Sequence, residues 1–112
     1  MSQPSMNDLL KQAHEFQEKL AKAQEGLKSL RAEGSAGGGM VTVAANGKKE
    51  VLEVRINKSS VDLNDVELLE DLIVAAVNQA LSNAEAEASV EMKKAAGGVI
   101  GNLAGSFKIP GL

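Results

Sequence analysis

Apolar side chains recur at positions 6, 9, 13, 16, 20, 23, 27 and 30, in alternating steps of three and four. That spacing predicts a helix over residues 6–30 with a heptad seam: Met6, Ala13, Leu20 and Leu27 in one seam class, Leu9, Phe16, Ala23 and Leu30 in the other. Ser5 and Asp8 form a capping-box pattern, and Pro4 keeps the helix from extending backwards. Glu15 with Lys19 and Glu18 with Lys22 are i,i+4 pairs in the favourable order. Such a helix would be about 38 Å long at 1.5 Å per residue, longer than a small domain is wide.

The pattern then changes period. Residues 31–39 (RAEGSAGGG) read as a flexible connection without an anchoring side chain. Two short runs rich in β-branched residues follow, at 40–45 and 51–56, with Asn46-Gly47 between them. Asn-Gly between such runs is a strong hairpin signal, because both central residues of a two-residue turn need positive φ. With that turn, Val41 faces Leu52 and Val43 faces Glu50, so Val41, Val43, Leu52, Val54 and Ile56 share a face that requires burial. Met40, Thr42, Val51, Glu53 and Arg55 make up the other face. A lone hairpin is marginal in water, so helices or a second copy of the chain must complete it.

Asn57-Lys58-Ser59-Ser60 breaks the second run, and Asn64 with Glu67 suggests another capping box. Val66, Leu69, Ile73, Ala76, Val77 and Ala80 mark the apolar face of a second long helix, continuing through Ala84, Ala88 and Met92. Lys93 and Lys94 suit its last turn, and Gly97-Gly98 are expected to stop it. Residues 97–112 hold five glycines among isolated apolar residues, which predicts a flexible tail. The expected organisation is thus one α+β domain over residues 1–96 followed by that tail.

Composition sharpens this picture in two ways. The chain of 112 residues has an ordinary apolar fraction of 44%, yet only two Phe and no Trp or Tyr. Large side chains are scarce, so the core of a single copy should be thin and supplemented by homodimerisation. The net charge of −3 is unevenly spread: residues 1–58 carry nine basic and seven acidic side chains, residues 59–112 three and eight. Attraction to phosphate would therefore have to come from local clusters.

Candidate chemistry is sparse. There is no Cys, which removes disulfides, thiolate nucleophiles and Cys-ligated metals. His14 is the single His and lies outside the heptad seam, where a solvated surface role is far commoner than catalysis. Asp62, Asp65 and Glu67 suit a helix N-terminus better than a metal, since no calcium-loop spacing surrounds them. The three glycines at 37–39 lack the Gly-Lys-Ser/Thr of a phosphate loop. Neither an enzyme nor a cofactor is expected. No basic start with an apolar run marks a secretory signal, and no apolar stretch approaches the ~20 residues of a membrane span, so a cytoplasmic protein is the default.

Without exposed aromatics, single-strand and RNA reading by base stacking is disfavoured. Duplex DNA can be held by phosphate contacts alone, and the candidates are Lys22, Lys28 and Arg31 at the end of the first helix with Lys93 and Lys94 at the end of the second. The commoner role of such residues is to solubilise a surface and complement helix dipoles.

Three stretches carry a family resemblance: LLKQAHEFQEKLAKAQEGL at 9–27, GGGMVTVAANGKKEVLEVRIN at 37–57 and LLEDLIVAAVNQALSNAEAEASVEMKK at 68–94. The block EDLIVAAVNQAL at 70–81 is the most specific. Together they resemble the YbaB/EbfC family of bacterial nucleoid-associated proteins. The resemblance implies a small fold that forms a tight homodimer with tweezer-like helical arms, binds duplex DNA and serves nucleoid organisation or gene regulation. It supplies no catalytic or base-reading motif. A dimeric adaptor that binds another protein through the tail or the first helix is the alternative from a different class.

Overall fold

The computed structural model describes residues 5–107, with side chains described up to Gly97. Its elements follow the order α1 (Met6–Gly26), β1 (Ala32–Ala36), β2 (Val41–Ala45), β3 (Val51–Ile56) and α2 (Val66–Phe107). Contacts divide the chain into two compact units. One contains the residues up to Glu25 and those from Val90 onward, and the other is Gly26–Ser89.

In the first unit, α1 opens on the capping box that Ser5 and Asp8 predict. The Asp8 amide donates to Ser5 Oγ at 3.2 Å and the Ser5 amide to Asp8 Oδ2 at 3.3 Å. No residue of α1 is buried, although Phe16, Leu20 and Ala23 on the seam are partly covered. Glu18 sits 3.0 Å from His14, one turn back, and both side chains are exposed. The helix ends at Gly26 and not at Leu30. A glycine without stabilising neighbours is a weak helical residue, and the last two seam positions leave for the sheet. Leu30 packs against the core of the second unit.

That second unit is a three-stranded antiparallel sheet, in order β1-β2-β3, with the first part of α2 over one face. β1 corrects the expectation of a flexible connection at 31–39. Its small residues are what the contact with α2 requires. A Cβ placed on Gly34 would lie 2.7 Å from the Ala76 carbonyl oxygen and 2.8 Å from the Gln79 carbonyl carbon, and closer still to the Ala80 amide nitrogen. Strand and helix thus approach backbone to backbone, which only glycine permits. Ala76, Ala80, Ala84 and Ala88, four residues apart along α2, form the matching small-residue ridge and are all buried. Gln79 and Asn83 point at the outer edge of β1. The Ser35 amide donates to Gln79 Oε1 at 2.7 Å, and Asn83 Nδ2 donates to the Glu33 carbonyl at 2.8 Å. These bonds occupy groups that an edge strand otherwise leaves open.

Between β1 and β2 the chain turns through Gly37, Gly38 and Gly39, all at positive φ (66°, 66° and 97°). The glycine run is therefore a hairpin turn, a conformation that side-chain-bearing residues resist.

The β2–β3 connection differs from the two-residue turn that Asn46-Gly47 predicts. Val41 pairs with Ile56, Thr42 with Arg55, Val43 with Val54 and Ala44 with Glu53, and Ala45 then pairs with Val51 across a bulge. The loop spans residues 46–50, and its positive φ belongs to Lys49 at 64°. Asn46 sets this geometry. Its buried Oδ1 accepts from the amides of Lys48 (2.9 Å) and Glu50 (3.1 Å), and its Nδ2 donates to Glu50 Oε1 at 3.0 Å. The side chain adds to the backbone bonds that close the loop, from the Lys49 amide to the Asn46 carbonyl at 3.2 Å and from the Asn46 amide to the Glu50 carbonyl at 3.0 Å. Relative to the expected pairing the register moves by four places. An even shift keeps Val54 and Ile56 on the face of Val41 and Val43, while Leu52 becomes the extra residue of the bulge.

Val41 and Val43 are completely buried against the Ala ridge, with Leu69, Leu72, Ile73, Val77 and Ile56 partly buried around them. Leu52 and Val54 are not covered and remain 48% and 43% exposed. α2 begins one residue later than Asn64–Glu67 capping predicts. Asp65 is the cap, its Oδ1 accepting from the Leu68 amide at 3.1 Å, while the Asn64 amide turns to Asp62 Oδ1 at 2.9 Å. The helix also passes through Gly97-Gly98, where it was expected to stop, and runs to Phe107. Two glycines cost a helix about 1 kcal/mol each without removing a hydrogen bond, and the first proline comes only at Pro110. Residues 108–112 of the expected tail lie outside the described residues.

Candidate nucleic-acid interface

The five residues singled out for phosphate contact fall in different settings. Lys22 is exposed on α1, and Lys93 and Lys94 are exposed on α2, all in the first unit. Lys94 Nζ lies 3.5 Å from Glu91, one turn back on the same helix. Lys28 and Arg31 belong to the second unit, on the segment between α1 and β1. The five are thus divided between the two units.

Arg31 has a defined partner. Its guanidinium donates to Glu53 Oε2 at 2.7 Å and approaches Glu33 at 3.8 Å. Arg55 closes the group, with Nη2 3.2 Å from Glu33 Oε1 and Nε 3.3 Å from Glu53 Oε1. The register explains the meeting. Glu33, Ala44 and Glu53 stand abreast on the three strands, and Arg55 is abreast of Thr42. Ala44 is too short to separate its neighbours, so side chains from the two outer strands meet above it and leave it 2% exposed. Two arginines and two glutamates give a neutral face. The hydrogen bond from Arg31 holds the Glu53 carboxyl below its ordinary range, helped by the charge of Arg55, and the same bond strengthens the hold of Arg31 on its proton. Exposed pairs of this kind contribute little to stability. Their consequence is electrostatic: the face opposite α2 presents no net cation to a phosphate.

Lys48 and Lys49, absent from the candidates drawn from the sequence, stand exposed at the tip of the β2–β3 loop. Charge adjacent to an Asn-Gly turn was the available signal. Lys49 Nζ is 4.0 Å from Glu85 Oε1, the outer limit of an ion pair, and both side chains are 67% exposed.

The far edge of the sheet has a different character. β3 is an outer strand, and Val51, Leu52 and Val54 are each between 43% and 48% exposed along it. An outer strand with large apolar side chains is a place where proteins associate. Among the described residues no cluster of three or more His, Asp or Glu could hold a metal, and no helix is long and apolar enough to cross a membrane.

The YbaB/EbfC DNA-binding family model matches residues 2–99. The nucleoid-associated protein TTE0040 of Caldanaerobacter subterraneus subsp. tengcongensis is 49% identical over 108 residues, which cover 96% of this chain and 90% of that protein. A nucleoid-associated protein of Thermoanaerobacter pseudethanolicus is 50% identical over 103 residues, covering 92% of this chain and 91% of its own length. Among solved structures, that of the uncharacterized protein HP0035 from Helicobacter pylori aligns with a TM-score of 0.62 at 24% identity. It covers 74% of this chain and 87% of that one, a likeness of fold.

Proposed function

The chain belongs to the YbaB/EbfC DNA-binding family, and from that premise we propose that it binds duplex DNA as a homodimer with little sequence preference, in a nucleoid-organising or regulatory role within the cytoplasm. The observation that carries the DNA part is the family match over residues 2–99, supported by relatives named as nucleoid-associated at about half identity. The observation that supports the dimer is the uncovered β3 edge. Val54 lies on the same face as the buried Val43, directly opposite it, yet is 43% exposed in a single copy. A second chain meeting this edge would cover Val51, Leu52 and Val54 and continue the sheet by an isologous contact.

Phosphate contact is assigned to lysines. Lys22, Lys28, Lys93 and Lys94 are the initial candidates that remain, because Arg31 is engaged by Glu53. A lysine ammonium is a point charge that reads phosphate without reading a base edge. Low sequence preference follows.

Two measurements test the proposal. Light scattering across a concentration series should give twice the mass of the chain. A mobility-shift titration with an arbitrary duplex should show binding at low salt that weakens linearly on a log-log plot as salt rises, by about 0.9 per phosphate contact. Absence of binding at low ionic strength, or a single-chain mass at high concentration, would overturn the corresponding half.

A further inference from the structure

The second unit is acidic as a whole, with six basic and ten acidic side chains between Gly26 and Ser89. Its cations are not spread evenly over this background. Arg31 and Arg55 are engaged by Glu33 and Glu53 on the outer face of the sheet. Lys58 stands apart after β3. The other three, Lys28, Lys48 and Lys49, come from two loops distant in sequence that the fold clasps together.

The clasp is a backbone contact. The Gly47 amide donates to the Leu27 carbonyl at 2.8 Å. A Cβ on Gly47 would lie 2.9 Å from Leu27 Cβ and 3.0 Å from its carbonyl oxygen, so glycine is needed for the two loops to approach this closely. Lys28 and Lys48 are the next residues after the two members of the clasp, and Lys49 follows. Their Cα atoms sit one or two bonds of about 3.8 Å from a hydrogen-bonded contact, which confines three ammonium-bearing stems to one end of the sheet. All three residues are exposed.

Two further observations separate this cluster from an ordinary solvated charge run. First, the loop is rigidly built: Asn46, 3% exposed, holds the amides of Lys48 and Glu50, and its Nδ2 draws the Glu50 carboxylate back towards the loop. The lysines therefore stand on a fixed base, with the Glu50 carboxylate held on Asn46 by a hydrogen bond that leaves its charge in place. Second, Lys49 has φ of 64°, a conformation suited to glycine or asparagine. A lysine there costs conformational energy that a glycine would avoid, and an observed backbone outlier of this kind points to function. Its ion pair with Glu85, at 4.0 Å with both groups largely in water, is too weak to account for the residue.

We propose that Lys28, Lys48 and Lys49 form a pre-organised phosphate-binding knuckle for the duplex backbone at the clasped end of the sheet. The proposal rests on the DNA-binding reading above and adds to it a site built from the Leu27–Gly47 contact. B-DNA carries one charge for about every 1.7 Å of axis, so three ammonium groups grouped on adjacent loops can meet several phosphates together.

The test uses the full-length chain, a duplex of arbitrary sequence and three variants, each checked by circular dichroism and thermal melting. The triple variant Lys28→Gln/Lys48→Gln/Lys49→Gln should bind at least tenfold more weakly at low salt, with a log-log salt slope shallower by about 0.9 per lost contact. The triple arginine counterpart, Lys28→Arg/Lys48→Arg/Lys49→Arg, should retain wild-type affinity and slope, because charge and not side-chain identity is used. Lys49→Gly should bind several-fold more weakly while melting at or above the wild-type temperature, a combination that a structural role for Lys49 would not produce. A glutamine variant that matches wild-type affinity and slope within twofold overturns the knuckle and leaves the DNA-binding reading intact. A folded arginine variant that binds as weakly as the glutamine one also overturns it. Failure of the wild-type chain to bind at low salt overturns the underlying reading and the knuckle with it.

Discussion

Gly34→Ala is the substitution whose cost can be worked most directly from the structure. The added Cβ would fall against main-chain atoms of α2, 2.7 Å from the Ala76 oxygen and 2.8 Å from the Gln79 carbon, with the Ala80 nitrogen nearer still. No flexible side chain can yield, so strand and helix must separate. Overpacking of this sort costs about 1–3 kcal/mol. Separation also strains the Ser35–Gln79 and Asn83–Glu33 bonds, each worth about 0.5–1.5 kcal/mol. Against this, alanine restricts the unfolded chain and returns roughly 0.4–1 kcal/mol. The balance is a loss of about 2–4 kcal/mol. At about 4–8 °C per kcal/mol for a domain of this size, the midpoint should fall by roughly 8–32 °C. Thermal melts followed by circular dichroism at one fixed protein concentration read this directly, the fixed concentration removing any shift from association. Gly38→Ala is the comparison: φ is 66° but nothing lies within 4 Å of the new Cβ, so the loss is conformational, about 1 kcal/mol. If Gly34→Ala melts within a few degrees of wild type, or loses less than Gly38→Ala, the claim that β1 and α2 meet backbone to backbone is wrong.

Other substitutions probe separate parts of the same account. Asn46→Ala leaves the Lys48 and Glu50 amides without their shared, part-buried acceptor, and urea denaturation should show a loss of about 1–3 kcal/mol. Gly97→Ala meets nothing within 4 Å among the described residues and should raise stability by about 0.5–1 kcal/mol. Val54→Lys places a charge on the uncovered β3 edge and should shift the mass in light scattering from two chains towards one, while the far-ultraviolet dichroism of the folded subunit persists. For Glu53, the folded carboxyl titrates below its unfolded value, so its contribution is present above the unfolded pKa and is lost as pH falls through the lower, folded one. Carboxyl titration by NMR should show the Glu53 midpoint rising in Arg31→Gln, and an unchanged midpoint would dissociate the depression from Arg31.

The helices and the paired runs were legible because each follows a single period: three-four spacing along α1, and apolar runs around Asn46-Gly47 for β2 and β3. β1 was not legible, for a physical reason. Ala32-Glu33-Gly34-Ser35-Ala36 has neither bulk nor β-branching, and it becomes a strand because its very smallness admits α2. That information resides in the Ala76-Ala80-Ala84 ridge more than forty residues away. The Asn46-Gly47 pair marked a turn correctly but for other reasons than those at work: Asn46 acts as a buried acceptor, Gly47 is needed for contact with Leu27, and Lys49 takes the positive φ. The phosphate candidates were chosen from helix ends, where charge is easily seen in sequence. Partner choice is a tertiary property, so the engagement of Arg31 by Glu53 and the nearness of Lys28 to Lys48 could not be read from spacing.

An acidic chain that binds DNA must keep some cations from being cancelled by their neighbours, and this sheet separates the two basic residue types to that end. Arginine, with its planar fork, is the side chain best suited to reading guanine edges, and both of the chain's arginines are paired with carboxylates across Ala44. Lysines at the loop tips keep their charge in water, on backbone fixed by Asn46 and Gly47. On the proposed reading, such a division leaves the arginines less free to read base edges than the lysines are to meet phosphate. The expected result is a binding free energy that depends steeply on salt and hardly at all on sequence. Neutralising Glu33 and Glu53 would release Arg31 and Arg55 on the opposite face, so on the proposed reading a Glu33→Gln/Glu53→Gln variant should gain sequence preference in competition mobility shifts, and an unchanged preference would refute the part given to this pairing.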